Sequence, residues 1–161
     1  MNKLVDKLMS CVEAILIALM GTSVLIVVMQ ILWRYVFQSP LGWTEQIARS
    51  EFIWIVMLGI PVMFNRGITM SFDVVLQKIT GKAHKIIQIA LRVIGMAFCT
   101  FYFVASIELC ISAGSRTISG VPLPYNALYG AQPVCAVLLF LVFIKQLIGL
   151  IRGFKIEEGE K

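Results

Sequence analysis

Charged side chains gather at residues 43–51 of this largely apolar chain, and their spacing predicts an ion pair on a helix. Glu45 and Arg49 are four residues apart, in the order that pairs best. Thr44 is predicted to cap the start of that helix, where Glu45 also suits the positive end of the helix dipole. Arg49 and Glu51 continue into apolar sequence and need partners there, on this chain or another. A helix start alone would explain the same residues, and that interpretation stays open.

The remaining reactive residues do not form a pattern typical of catalysis. The lone histidine, His84, cannot give bis-histidine haem ligation within the chain. The four cysteines include no CxxC pair and fall in or beside apolar stretches, as small packing residues do: Cys11, Cys99, Cys110 and Cys135. A membrane thiol oxidase would need cysteine pairs in its outer loops. We therefore expect no catalytic residue, no metal site and no cofactor.

Four long apolar stretches must position these residues. Hydrophobic residues make up 59% of the 161-residue chain and charged residues 14%, and the mean hydropathy is +0.89. Such a composition predicts an all-α membrane protein, because only helices and closed barrels satisfy the backbone in lipid and no segment alternates as barrel strands do. We expect a single membrane domain over residues 1–161, with transmembrane helices at 12–33, 47–64, 86–113 and 125–151.

Basic residues predict that both termini are cytoplasmic. Only Arg34, Arg49 and Arg116 fall on the outer side, whereas the inner side is much richer: Lys3, Lys7, Arg66, Lys78, Lys82, Lys85, Arg152, Lys155 and Lys161. Arg92 and Lys145 lie within spans near the inner side, where their charges can snorkel to water.

Both longer connections have features of their own. On the inner side, an apolar i, i+3, i+4, i+7 pattern predicts a short amphipathic helix at the membrane interface between spans two and three, with Ser71 as its cap: Phe72, Val75, Leu76 and Ile79. A short helix packed on the end of the bundle explains this pattern nearly as well. On the outer side, prolines and tyrosines predict a stiff extended turn with an aromatic anchor: Pro122, Pro124, Tyr125, Tyr129 and Pro133.

A set of these residues resembles the small, DctQ-like membrane subunit of TRAP (tripartite ATP-independent periplasmic) transporters. The resemblance extends over nearly the whole chain and is based on the order and spacing of one set of residues: Trp43, Thr44, Glu45, Gln46, Arg49, Trp54, Leu58, Gly59, Arg66, Gly67, Asp73 and the later run from Gly120 to Tyr125 with Tyr129 and Pro133. Gln46 stands where the family often has a second glutamate, and Thr69 stands near a histidine position.

This resemblance implies a non-catalytic helper in sodium-driven symport, located in the inner membrane of a bacterium or archaeon. In such systems a periplasmic substrate-binding protein captures an organic acid, such as sialic acid or a dicarboxylate, and a large elevator-type subunit carries it inward. The small subunit braces the scaffold of the large one and helps dock the binding protein. The partners implied are those two proteins and membrane lipids, without nucleic acid.

The resemblance places the contact with the large subunit on the family motif: Trp43, Glu45, Gln46, Arg49, Trp54, Gly59, Arg66 and Asp73. Candidate docking residues for the binding protein are Pro122, Pro124, Tyr125 and Tyr129. The alternative function is a self-sufficient, proton-coupled four-helix exporter acting as a homodimer, with Glu13 as its proton site. Glu13 argues against that alternative, because it lies at the edge of the first apolar run and not deep within it.

Overall fold

A computed structural model describes residues 2–36, 42–67, 82–114, 116–117 and 124–159, and these ranges are almost wholly helical. The helices are α1 Asn2–Val36, α2 Gly42–Asn65, α3 Lys82–Ala113, α4 Tyr125–Tyr129 and α5 Ala131–Gly159. The amphipathic helix predicted over residues 71–81, together with Asp73 and Pro122, lies outside the described residues.

The four predicted spans are confirmed. Four segments are long and apolar enough to cross a membrane: Leu4–Val36, Trp43–Asn65, Ile86–Ala113 and Tyr125–Leu150. The first two begin earlier than the sequence pattern predicted. The 35 residues of α1 correspond to roughly 52 Å, well beyond a hydrocarbon core of about 30 Å, so this helix tilts or projects from the bilayer.

Side chains from α1, α2 and α5 form one core. On α1 they recur about every 3.5 residues, at Val5, Met9 and Val12 and then at the partly buried Leu16 and Leu19, which is the spacing of a helix–helix seam. Leu58 and Val62 of α2 and Leu138 and Val142 of α5 complete the cluster. Because lipid is as apolar as these side chains, close packing and not exclusion of water holds the seam together.

Helix α5 is the centre of the arrangement. It packs closely on α3 along one side and on α2 along another, whereas α1 packs mainly on α2. The α3–α5 contact is tight at Gly95, where an added Cβ would come within 2.8 Å of the Phe143 ring. Cys99 and Cys135 are buried on the same helix pair, which agrees with the packing role predicted for them.

Two glycines mark the ends of helices. Gly67 follows α2 with φ of 71° and Gly114 follows α3 with φ of 58°, a left-handed conformation that residues with a Cβ rarely adopt. The Gly67 amide donates to the carbonyl of Phe64 at 3.3 Å, and the Gly114 amide donates to that of Ile111 at 3.1 Å. Each bond satisfies a carbonyl that the end of the helix would otherwise leave free.

The structure corrects two local predictions. Helix α2 begins at Gly42, so Thr44 lies inside its first turn, 1% exposed, and is not the residue that caps it. Residues Tyr125–Tyr129 were predicted both as the start of the fourth span and as part of an extended turn, and they form the short helix α4, so the extended turn is wrong there. Pro124 has the fixed φ that suits the residue before a helix, and its own backbone is extended with ψ of 145°.

Candidate functional site

The predicted ion pair at the start of α2 is confirmed. A guanidinium nitrogen of Arg49 lies 3.2 Å from a carboxylate oxygen of Glu45, and Glu45 occupies the first turn of the helix. Both side chains are 64% exposed. The pair therefore stands on the surface of this chain and does not fix α2 against its own neighbours. In water such a pair contributes only about 0.3–0.5 kcal/mol.

The same face of α2 is exposed along its length. Five residues spaced as one helical stripe are accessible: Glu45, Arg49, Phe52, Val56 and Met63. Phe52 is the most exposed of the three apolar members, at 63%. We call these five residues the α2 stripe. It combines an ion pair near one end of a membrane span with a large aromatic side chain one turn further on, and aromatic residues and Arg are enriched where proteins bind each other.

The other residues of the predicted site are spread over several faces of α2. Trp54 packs on the core shared with α1 and α5, so it stabilises this chain from within. Gly59 lies on the face of the α2 stripe and lines, with Met63, a groove between α1 and α2, where a Cβ on Gly59 would meet nothing within 4 Å. Trp43 is exposed at the start of the helix. The structure thus brings Glu45 and Arg49 together but does not gather the family motif into one cluster.

Three partly buried polar residues follow the ion pair closely in sequence: Gln46, Ser50 and Glu51. The Ser50 hydroxyl donates to the backbone carbonyl of Gln46 at 2.8 Å. One carboxylate oxygen of Glu51 is buried and has no hydrogen-bond partner within the described part of the chain. The sequence-based expectation that Glu51 needs a partner therefore stays open.

Ion pairs at the other end of α2 were not predicted. Arg66, just after α2, pairs with Glu13 of α1. Lys145 of α5 pairs with Asp6 of α1 and also donates to the side-chain oxygen of Asn65 at 2.8 Å. These contacts join α1, α2 and α5 at one end of the bundle. We call the residues that make them the Asn65-end cluster: Asp6, Glu13, Asn65, Arg66 and Lys145. The hydrogen bond to Glu13 raises the pKa of Arg66 above its ordinary value, so the arginine stays charged.

These contacts give two residues partners that the sequence did not reveal. Glu13 at the edge of the first apolar run and Lys145 within the fourth span each have an oppositely charged partner. The antiparallel order of the spans brings the beginning of α1, the end of α2 and the later part of α5 to one side. A comparison of residues by membrane depth could have paired them. Because Glu13 is engaged with Arg66, it also lacks the isolation expected of the proton site in the exporter alternative.

At the opposite end, α4 carries the predicted aromatic anchor. The rings of Tyr125 and Tyr129 stack with centroids 6.2 Å apart. The Tyr125 amide donates to the carbonyl of Arg116 at 2.9 Å, and Pro124 forms an antiparallel bridge with Thr117. This short contact ties the beginning of the fourth span to the segment that follows α3.

Comparison with known proteins gives this arrangement a family. The model of the family described as "Tripartite ATP-independent periplasmic transporters, DctQ component" matches residues 23–153. The chain belongs to the DctQ family. It is therefore a multi-pass membrane protein of a transport family, which is not an enzyme class, and the resemblance seen in the sequence is confirmed.

Individual relatives of this DctQ-family chain differ greatly in length. A putative TRAP transporter small permease protein of Haemophilus influenzae Rd is 26% identical over 99% of the chain and 98% of the relative. The sialic acid TRAP transporter permease protein SiaT of H. influenzae 86-028NP is 31% identical over 74% of the chain but only 20% of SiaT. The isethionate TRAP transporter permease protein DctMQ of Oleidesulfovibrio alaskensis is 26% identical over 85% of the chain and 23% of DctMQ. The chain thus spans about a fifth of the two longer relatives.

Proposed function

We propose that this chain is the non-catalytic small membrane subunit of a sodium-driven TRAP transporter. In this proposal it braces the scaffold of a large, elevator-type subunit and helps a periplasmic binding protein dock while an organic acid is taken up. The observation that carries the proposal is the pattern of coverage: the chain matches a small permease along its whole length and two permeases over about a fifth of theirs. A separate large polypeptide would supply the remainder.

A bracing role fits the distribution of polar groups. The ion pairs of the described spans lie at the two ends, in the Glu45–Arg49 pair and in the Asn65-end cluster, while Glu51, Arg92 and Glu108 lie within spans but outside these groups. A carrier that moved an organic anion by itself would need polar groups facing each other near the middle of the membrane. A brace needs only a rigid frame and exposed apolar faces, and the core shared by α1, α2 and α5 supplies the frame.

The α2 stripe is the surface that we propose for the large subunit. It presents Phe52, Val56 and Met63 below an exposed ion pair, so a partner helix could cover the apolar side chains and shield the pair from water. An ion pair removed from water interacts more strongly than an exposed one, provided its remaining polar atoms are satisfied. The partner should therefore offer hydrogen-bonding groups beside Glu45 and Arg49.

Site-specific photo-crosslinking would test this surface. A benzophenone amino acid placed at Phe52 in the native membrane should crosslink to a much larger multi-span protein. Phe101 of α3 is the matched control, because it is also an exposed aromatic residue, 74% accessible, but lies on another helix. Crosslinks from Phe101 alone would move the interface to α3. Crosslinks from neither position to any larger membrane protein would contradict the bracing role.

The transport reaction needs its own test. Two relatives have sialic acid and isethionate in their names, and both compounds are organic anions. We propose a cargo of that class for the complex containing this chain. Proteoliposomes with the purified complex and its binding protein should accumulate such an anion when sodium is higher outside. Uptake that persists without a sodium gradient would contradict sodium coupling while leaving the subunit assignment intact.

For the binding protein, we propose a docking site around α4. Pro124, Tyr125 and Tyr129 lie at the opposite end of the bundle from the Asn65-end cluster, and the Thr117 bridge holds this segment in place. Replacing Tyr129 by Ala should weaken docking of the binding protein without lowering the yield of the membrane complex. Equal docking by both forms, measured by surface plasmon resonance on the reconstituted complex, would exclude Tyr129 from that contact.

A further inference from the structure

A cavity of about 640 Å³ separates α2 from α3. Both helices pack on α5, one on each side, and the cavity fills the space between them. Its lining is mostly apolar, and its volume falls within the range of about 300–1,000 Å³ typical of sites for small ligands. Ile94 and Phe98 lie on its rim and are exposed, so the cavity opens sideways, toward the bilayer.

The charged and amide groups of the cavity lie at one end. Arg92 and Gln146 line it there, and the Gln146 amide nitrogen donates to the carbonyl of Phe64 at 2.6 Å. Phe64 immediately precedes the last residue of α2, so this is the end of the cavity nearest the membrane boundary. The Gln146 carbonyl oxygen is buried without a hydrogen-bond partner among the described residues. A cation and an unpaired acceptor therefore stand where an apolar cavity meets the headgroup region.

The cavity extends from its polar end about one leaflet deep into the membrane, where it closes. Along α3 its lining runs from Leu91 to Tyr102, a rise of roughly 16 Å, which is about half of a hydrocarbon core of about 30 Å. At the deep end the Tyr102 hydroxyl lies 3.9 Å from the sulfur of Met57, and this contact joins α3 to α2. A partner's transmembrane helix would have to cross both leaflets, so this dimension suits an acyl chain better.

We propose that this cavity is a binding site for one phospholipid, with an acyl chain between α2 and α3 and the phosphate at Arg92. The guanidinium supplies the charge that a phosphodiester requires, and Arg binds phosphate with several directed hydrogen bonds. The Gln146 carbonyl oxygen would accept a hydrogen bond from a hydroxyl of a glycerol headgroup. A bound lipid would hold α2 and α3 at their separation and so keep the α2 stripe in a fixed position relative to α3.

Native mass spectrometry of the full chain in detergent would test the site. The probes are palmitoyl-oleoyl phosphatidylglycerol and dioleoylglycerol, which has two acyl chains but no phosphate. The unchanged chain should retain one phosphatidylglycerol and little dioleoylglycerol. Arg92→Gln should lower phosphatidylglycerol occupancy on the order of tenfold, the loss expected for charge-assisted bonds to phosphate, and Arg92→Lys should keep much of it. Arg34→Gln, an exposed arginine at the end of α1, is the charge control.

A second pair of variants tests the apolar part of the cavity. Gly95→Leu adds bulk to the lining and should lower the occupancy of phosphatidylglycerol, whereas Gly21→Leu, whose Cβ meets nothing within 4 Å, should not. Because Gly95 approaches Phe143 closely, circular dichroism must show that Gly95→Leu stays folded; if it does not, the Arg92 series decides the question. Equal retention by Arg92→Gln and the unchanged chain would overturn the proposal. So would loss of the lipid when the chain is isolated with a larger membrane partner.

Discussion

Replacing Val142 by Ala should destabilise the seam shared by α1, α2 and α5. Val142 is 0% exposed and belongs to the core cluster with Met9 and Leu58. The substitution removes two methyl groups, and neighbouring side chains and not lipid surround the space that they leave. Burial from water does not enter the free energy here, because lipid and core are equally apolar. A hole the size of a methyl group costs about 1 kcal/mol, so the expected loss is about 2 kcal/mol.

The matched control is Val137→Ala on the same helix. Val137 is 45% exposed, so lipid or detergent can fill the space that its methyl groups leave, and its replacement should cost less than about 0.5 kcal/mol. Unfolding in mixed detergent micelles, followed by tryptophan fluorescence, can measure both, because Trp54 packs against the core cluster and reports on it. Equal midpoints for the two variants would refute the reasoning, since α1, α2 and α5 would then not share a packed seam.

Three further predictions concern charges and one turn. Arg49→Ala should lower the yield of the complex with the large subunit and the rate of uptake, because Glu45 would face that partner without its counter-ion. The yield is measured in detergent extracts and the uptake rate in proteoliposomes. Glu13→Gln should speed backbone hydrogen exchange at the adjoining ends of α1 and α2, because Arg66 loses its ionised partner. Gly67→Val should destabilise the end of α2 by about 1–2 kcal/mol, measured by thermal melting, because φ of 71° crowds a Cβ.

Each of these predictions has a control. For Arg49 it is the exchanged pair Glu45→Arg with Arg49→Glu, which should restore complex yield in part; unchanged yield and uptake in Arg49→Ala would exclude the pair from the interface. For Glu13 it is Glu108→Gln on α3, and equal exchange in both variants would mean that the Arg66 pair does not hold the helix ends. For Gly67 it is Gly21→Val, in helical backbone with open space around it; equal melting temperatures would contradict the strain.

Much of the fold follows from hydropathy. Each span contains more consecutive apolar residues than a soluble helix needs, so its place in the chain was predictable, although the first span begins at Leu4 and not at residue 12. Helix ends were less predictable, because Gly42 and Trp43 extend α2 beyond the run that marks its apolar part. Residues Tyr125–Tyr129 were assigned both to the start of the fourth span and to an extended turn, because three prolines nearby favoured the turn, and the helical assignment is confirmed. Local proline chemistry alone could not reveal that the backbone bridge to Thr117 leads directly into a helical turn.

The candidate site was predictable only where it is local. The Glu45–Arg49 pair depends on spacing within one helix, and its prediction is confirmed at 3.2 Å. The Asn65-end cluster depends on three helices meeting at one level, which no single segment encodes. The sequence also could not show that Trp54 faces the core while Arg49 faces outward. Packing of the other helices decides which side of α2 is covered. The cavity at Arg92 also arises from the way α2 and α3 flank α5.

The central claim is that this chain works as the small subunit of a larger transporter. Affinity purification of the tagged chain from its native membranes in mild detergent, followed by mass spectrometry of everything retained, tests that claim most directly. The account predicts a much larger multi-span protein recovered at equal stoichiometry, with less of it when Arg49 is replaced by Ala. Recovery of this chain alone, as a stable homo-oligomer that transports by itself, would contradict the account.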